Sequence, residues 1–539
     1  MTPAGVHEQH GMAGGLGDGP WIAPAAPRER ERSPPARPAR IVVVVPSDRT
    51  RAWVIRLVEV LRLQFGLPTD IVSVPSLHSY DQIPSESFEQ RVFGRGQEGH
   101  SAWQATRPTA TADSIRWSDS LVVNATGYDP SILPPELRLG TIISPTFHGL
   151  YRMEALVGPV LSGEPPHIGV IVSRAGESWL VQGARLAVPE RAIMQRALDS
   201  TFGRTITLLR GAADHLITGK PLPEPVPLPP LAEAPSGLGF WASRLLRAGL
   251  PKLGRQLSKP FRRQDWCIGY RSAQPEDSPA NLQLDPASFQ LLDSGRSSFY
   301  ADPFVFRHDG VTALFFEDFD YGTQRGCISY VVLGEDGARG EPVQTLSRPY
   351  HLSYPYLFDH HGAAMMIPES SANGTIELYE AEAFPDRWRL RSVLVGNIEA
   401  ADTTLHFDEA TGIWWMFAAV TEFGSSSHDT LSIFYADRLD GPWRPHAANP
   451  VKFDPSCSRP AGPLVRWNGR LFRPAQDCTR GYGDGLVWCE IQDLTPEVFR
   501  EAVVARQRPY RGFAGLHTYG RAAGFEVVDF KRNRWRFVQ

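Results

Sequence analysis

The sequence predicts an α/β domain followed by an all-β five-bladed propeller, and three observations carry that prediction. An unbroken β-branched run, Ile41-Val-Val-Val-Val45, opens a stretch in which strand and helix patterns alternate. Seven prolines crowd residues 221–235 and mark a boundary. Beyond it, a strand–hairpin–strand unit recurs five times at intervals of roughly fifty residues, the length of a four-stranded blade.

In chain order, residues 1–40 hold seven Pro and six Gly with little apolar periodicity, the composition of a disordered tail. Residues 41–217 follow as the α/β domain. Ile41 to Val45 reads as a strand buried on both faces, Arg51 to Phe65 as a helix, and Asp70 to Val74 as a second strand. Ser120 to Asn124 and Leu139 to Ile143 supply further strands, and Glu190 to Leu216 one long closing helix. Such alternation implies an open sheet with its ligand cleft at the carboxyl ends of the strands. No glycine-rich phosphate fingerprint follows the first strand, so no nucleotide cofactor is expected. Residues 218–238 form the Pro-rich linker. Residues 239–264 set Trp241, Leu245, Leu246 and Leu250 beside Arg244, Arg247, Lys252 and Arg255. That basic amphipathic pattern suits peripheral contact with an anionic membrane, or a helix packed on the next domain with a solvated basic face.

Charge and cysteine usage bound the function classes. Lys and Arg number 55 against 59 Asp and Glu, a formal charge of −4, which argues against a chain-wide nucleic-acid partner. The longest aliphatic run, Ile41 to Val45, is far short of the roughly 20 residues of a membrane-spanning helix, and no apolar h-region follows Met1. Five cysteines without a C-x-x-C pair read as reduced thiols. The expected setting is cytoplasmic, with possible membrane-peripheral contact through residues 240–263.

Residues 265–539 carry the repeats. Their starts at Pro303, Pro355, Thr403, Gly462 and His517 are 52, 48, 59 and 55 residues apart. Asp-Gly, His-Gly and Asn-Gly turns close the hairpins at Gly310, Gly362 and Gly469. In a propeller the first strand of each blade lines the channel, so Asp302, Tyr354, Asp402, Arg459 and His517, just before or at those strands, converge near the axis. The second strands end in Glu317-Asp318, Glu369 and Gln476-Asp477. Carboxylates, an arginine and a histidine around one cavity suit acid/base work on a glycosidic bond. Asp302, Asp402, Glu369 and Glu317 are the catalytic candidates. Tyr354, His428, Arg459, Asp477 and His517 are the substrate-binding candidates, with Tyr300, Tyr356 and Trp414 or Trp415 as stacking walls. Each has a plainer alternative. Asp302 and Asp402 can cap turn amides, Arg459 can tie neighbouring blades, and His428 can sit exposed on a serine-rich loop. No spacing makes a metal site, so no metal is expected.

The motifs Ser298-Phe-Tyr-Ala-Asp-Pro-Phe-Val-Phe306, Phe315-Phe-Glu-Asp-Phe319, His351-Leu-Ser-Tyr-Pro355 and Ser458-Arg-Pro-Ala-Gly462 carry a resemblance. With Pro368-Glu-Ser-Ser-Ala-Asn-Gly-Thr-Ile-Glu-Leu-Tyr379, they resemble the propeller-like N-terminal domain family of glucosamine inositolphosphorylceramide transferases over residues ~265–535. The fold is also similar to five-bladed glycoside hydrolases of the arabinanase and invertase type. Their catalytic Asp lies in a motif like Ala301-Asp302-Pro303, and a second resembles Asp402. This implies a carbohydrate or glycolipid substrate and a transferase-type role in surface glycan synthesis. In the plant family, sugar transfer belongs to a separate segment, so the resemblance speaks for carbohydrate context before catalysis. Residues ~40–217 resemble formyltransferase folds through Thr146-Phe-His148 and Gly163-Glu-Pro-Pro-His-Ile-Gly169. That family's catalytic Asn is Thr146 here and its Asp is missing, which implies an inactive domain with His148 vestigial. A non-catalytic glycan-binding scaffold and an amino-sugar formyltransferase stand as the alternative functions.

Overall fold

The computed structural model describes residues 37–47, 49–76, 99–188, 194–220, 262–274 and 278–535. All but the last four residues of the expected tail, most of the linker and nearly all of the basic stretch lie outside the described residues, and Arg40 already belongs to the first strand.

The N-terminal sheet has six strands, in the order Thr69–Val74, Arg40–Pro46, Ser120–Asn124, Thr141–Phe147, His167–Arg174, Glu177–Arg185. The first four are parallel and the last two antiparallel. This is a mixed sheet with few helices, not the regular strand–helix alternation expected. Between Ser120–Asn124 and Thr141–Phe147 the crossover holds only short 3-10 turns, because Pro130, Pro134 and Pro135 interrupt any α-helix there. Leu139 belongs to such a turn, so the fourth strand starts at Thr141. Ile41 to Val45 is fully buried, as a β-branched run between two packed faces must be. One face is covered by Ala52–Phe65 and Met194–Thr218, which meet where Trp53 stacks on Phe202, their centroids 5.8 Å apart. Among the described residues, no helix is long and apolar enough to cross a membrane.

The C-terminal region is a five-bladed propeller of four-stranded antiparallel blades. Blade one runs through Ser298–His308, Val311–Asp320, Arg325–Gly334 and Gly337–Leu346. Blade two comprises Ser353–His360, Ala363–Glu369, Thr375–Ala383 and Arg387–Gly396. Blade three comprises Glu399–Asp408, Ile413–Thr421, Thr430–Ala436 and Arg444–Pro445, and blade four spans Val465–Gln507.

Blade five is assembled from both ends of the propeller sequence. Tyr519–Ala522 and Phe525–Trp535 are its inner strands, and Arg262–Ser272 and Gln290–Leu292 its outer ones. The fifth repeat supplies only half of this blade, and the other half lies some 250 residues upstream, in register from Phe525↔Ser272 to Trp535↔Arg262. All eleven residues of each partner pair, which closes the ring.

Candidate active site in the propeller channel

Three blades share one local device at the axis. Their inner strands are bulged between Ala301 and Phe304, Ser353 and Tyr356, and Ala401 and Thr404. The bulge residues Asp302, Tyr354 and Asp402 take left-handed backbone, with φ of 52°, 45° and 53°. A bulge inserts an extra residue and re-aims its side chain, here into the channel. The second strands then present Glu317 opposite Ala301 and Glu369 opposite Ser353. Carboxylates cap two of the bulges. Asp402 N–H donates to Glu369 Oε2 at 3.2 Å, and Asp302 N–H to Asp529 Oδ2 at 3.1 Å.

Two linked charge clusters result. In the first, Arg459 holds Asp402 in a fork, Nε to Oδ2 at 2.6 Å and Nη2 to Oδ1 at 3.2 Å, and Gln476 Nε2 donates to the same Oδ2 at 2.7 Å. Arg459 Nη2 also lies 3.8 Å from Glu369 Oε2. Burial and then the Asp402 charge push the Glu369 carboxyl up to about 8, against the pull of Arg459. Burial also raises Asp402, but the fork makes Asp402 the anion of the pair and leaves the proton on Glu369.

In the second cluster, His517 is wholly buried between two carboxylates, Nε2 3.1 Å from Asp302 Oδ1 and Nδ1 2.7 Å from Asp529 Oδ2. Burial opposes its charge, but Asp529 and Asp302 outweigh it and hold the imidazole pKa up at about 10. The same imidazolium, with the Thr518 hydroxyl donating at 2.7 Å, outweighs burial at Asp302 and keeps that carboxyl below its ordinary range. Glu317 is the reverse case. Burial and the Asp302 charge lift it well above the usual carboxylate range, and the His351 ring, kept neutral by burial, places Nε2 3.4 Å from it. Gly326 N–H donates to His351 Nδ1 at 2.8 Å, so the ring's proton is on the nitrogen facing Glu317.

Asp302, His517 and Asp529 are also the described group with a metal-like arrangement, their ligand atoms all within 4.8 Å of one another. A cation there would compete with the His517 protons for the same carboxylate oxygens, so the residues favour the imidazolium.

Asp302, Glu317, Glu369, Asp402, Arg459 and His517 are thus brought together as expected from the repeats. Tyr354 is fully buried at the axis, its hydroxyl 2.9 Å from Thr404 Oγ1, which makes it a wall of the cluster. Asp477 is not brought in. Side chains alternate along a strand, so Gln476 takes the channel face and Asp477 turns to Arg508 and Arg506 at 3.2 and 3.6 Å. His428 is not the exposed residue of a loose loop. It is half-buried and stacked on Tyr482, their centroids 5.3 Å apart, and burial followed by Arg459 and Lys531 lowers its pKa to about 3. His148 lies far outside the propeller sequence, edge-on to His167 at 5.4 Å, both rings held neutral first by burial.

The expected stacking walls are corrected. Tyr356 donates to Leu405 O at 2.7 Å between blades, Tyr300 packs on Phe316, Trp415 is buried, and Trp414 packs on Phe407 and Phe358. Trp266 and Tyr482 stand at the channel instead, 4.1 and 4.9 Å from the His517 ring. Lys531 lies over Trp266 and donates to Tyr482 O at 3.0 Å. Asp529 was missed, since its signal, an acidic residue in the middle of Phe525–Trp535, falls five residues past the hairpin glycine rather than seven, where Glu317, Glu369 and Gln476 stand. Trp266 left no such signal, since it precedes all the repeats.

Residues 275–514 match the family described as Glucosamine inositolphosphorylceramide transferase 1, N-terminal. The chain is 31% identical to glucosamine inositolphosphorylceramide transferase 1 of Oryza sativa subsp. japonica over 274 residues, 50% of this chain and 35% of that protein. To the Arabidopsis thaliana protein of the same name it is 33% identical over 212 residues, 39% of this chain and 27% of that one. The chain thus spans about a third of the length of the curated relatives it matches. Among solved structures, a GH43_1 enzyme from Xanthomonas citri shares 12% identity at a TM-score of 0.33, covering 44% of this chain and 87% of that one. An exo-beta-1,3-galactanase from Phanerochaete chrysosporium shares 12% at 0.28, covering 43% and 60%. Neither likeness is close enough to bear on function. The family match takes in blades one to four and leaves out His517, Asp529 and the whole N-terminal sheet, so the formyltransferase resemblance gains no support from it. Through those four blades the chain is similar to the N-terminal part of the glucosamine inositolphosphorylceramide transferases.

Proposed function

We propose that the propeller channel binds a glycan or the sugar headgroup of a glycolipid and carries out glycosyl-transfer-type acid/base chemistry on it. The observation that carries this reading is the split of protons within one buried cluster. Glu369 keeps its proton up to about pH 8 while Asp302 is held ionised. An acid and a base present together at neutral pH are what cleavage or transfer at a glycosidic oxygen needs. In this reading Asp302 is the base, Asp402 locked by Arg459 is the electrostatic partner, and Glu369, or Glu317 beside it, is the acid. Trp266 and Tyr482 offer ring faces to the sugar. The names of the relatives support an inositolphosphorylceramide-type acceptor as the glycolipid class.

A second reading, a glycan-binding scaffold without turnover, is favoured by how completely Asp402 is satisfied by protein donors. Formyl transfer by the N-terminal domain is not proposed, because the Asn that the resemblance implies as catalytic is Thr146 here and the neutral His148 packs edge-on against the neutral His167.

The test is incubation of the full chain with nucleotide-sugar donors and glycosylated or bare inositolphosphorylceramide, with products read by mass spectrometry. Transfer that falls about a hundredfold or more in both Asp302→Asn and Glu369→Gln supports catalysis in the channel. Binding without turnover supports the scaffold, and turnover unchanged in both variants overturns the assignment of the channel.

A further inference from the structure

The loop joining the second and third strands of blade three, residues 422–429, belongs to the channel at one end and to the N-terminal domain at the other. At the channel, Ser427 Oγ accepts from Arg459 Nη1 at 2.8 Å, and His428 stacks on Tyr482. At the other end the long helix Met194–Thr218 grips the loop from outside the propeller.

Arg204, 1% exposed, donates through Nη2 to Asp429 Oδ1 at 2.8 Å and to Ser426 O at 2.7 Å. Ala187 N–H donates to the other Asp429 oxygen at 2.9 Å. His100 Nε2 donates to Phe423 O at 2.8 Å, and Arg210 Nη1 pairs with Glu422 Oε1 at 2.9 Å. The approach is close enough that Gly203 has no room for a side chain, since a Cβ there would lie 2.3 Å from Phe423 O. Phe423 itself holds φ of 52°, a conformation a bulky residue keeps only where its surroundings enforce it.

We infer that the N-terminal domain is a positioning domain: it presses the blade-three loop against the channel, so that Ser427 and His428 stand at the site only while Arg204, His100 and Arg210 hold the loop. A domain of this kind needs no chemistry of its own. The cost of burying the Arg204–Asp429 pair is offset by their mutual attraction and by the bonds to Ser426 O and from Ala187 N–H, which fix the loop in place.

His428 reports the loop's position, because its neutral state depends on being packed on Tyr482 near the cations Arg459 and Lys531. The experiment follows the imidazole resonances of the full chain by nuclear magnetic resonance as pH is varied, with His428 assigned through His428→Gln. Arg204→Met removes the grip, and Gly203→Ala wedges the loop away while leaving Arg204 intact. The expected result is that His428 titrates at least one pH unit higher in both variants, toward its ordinary 6.5. The His517 titration should stay where it is, because its partners Asp302 and Asp529 do not touch the loop. Should Arg204→Met fail to fold, Arg210→Gln, which removes only a half-buried pair, must shift His428 in the same direction by a smaller amount. An unmoved His428 in the folded variants overturns the inference, and so does a His517 shift of equal size, which would signal general loosening.

Discussion

Asp302 and Asp402 carry the same strained backbone and the same channel address, and a different cation sets the electrostatics of each. Asp302 faces an imidazolium and Asp402 a guanidinium, so each is an anion, and the excess protons of the cluster fall on Glu369 and Glu317. This has a consequence for stability. Glu369, ordinarily near 4.5, is raised to about 8 in the folded chain, so between those values the folded state binds more protons than the unfolded one. Stability from this residue therefore falls as pH rises from 4.5 to 8, and Glu369→Gln should flatten that decline by the order of a few kcal/mol. Urea unfolding of both proteins at pH 5, 7 and 8 measures it, and parallel curves would refute it. His517, raised to about 10, contributes stability that is complete below 6.5 and is lost as pH climbs through 10. His517→Gln should cost about 3 kcal/mol or more at pH 6.5, because it leaves Asp302 and Asp529 buried without their cation. A loss under 1 kcal/mol in the same unfolding assay would contradict the charged imidazole.

Much of the site was legible as aligned repeat positions, because the first half of each inner strand lies at the axis whatever the rest of its blade does. The bulges were not legible. An inserted residue leaves the apolar texture of the strand intact, and the sequence around Asp302 reads the same with or without it. The stacking aromatics were misplaced for a related reason. Tyr356 lies two residues beyond Tyr354, but the bulge between Ser353 and Tyr356 breaks the plain alternation, and its hydroxyl reaches Leu405 O in the seam between blades. Asp477 fell to alternation itself, one residue past Gln476. Element junctions also locate a vulnerable point. Gly462, at φ 135°, passes so close to the fifth blade that a Cβ would meet Tyr519 O at 1.9 Å. Gly462→Ala should cost about 3 kcal/mol or more by prising blade four from blade five. Thermal melting of that variant checks it, with wild-type stability as the contrary result.

Closure of the ring could not be read from the repeats, because a strand pairing across some 250 residues has no local signature. It decides what can be cut from the chain. The family match spans residues 275–514, yet that segment lacks both Arg262–Ser272 and Phe525–Trp535, the two central strands of blade five. A fragment of residues 275–514 should expose the flanks of blades one and four and fail to unfold cooperatively, whereas residues 33–539 should show one steep transition in urea. A cooperative short fragment would mean that the fifth blade is dispensable. Ring closure also completes the electrostatics, since it brings His517 and Asp529 to Asp302 and so fixes which channel carboxyls are charged. The account stands on that division of protons. Its most direct test is a carbon-13 nuclear magnetic resonance titration of side-chain carboxyls in the intact chain. The prediction is one carboxyl titrating near pH 8 that vanishes in Glu369→Gln. If every carboxyl titrates below about pH 5, as ordinary Asp and Glu do, the channel holds no acid at neutral pH and the proposed chemistry fails.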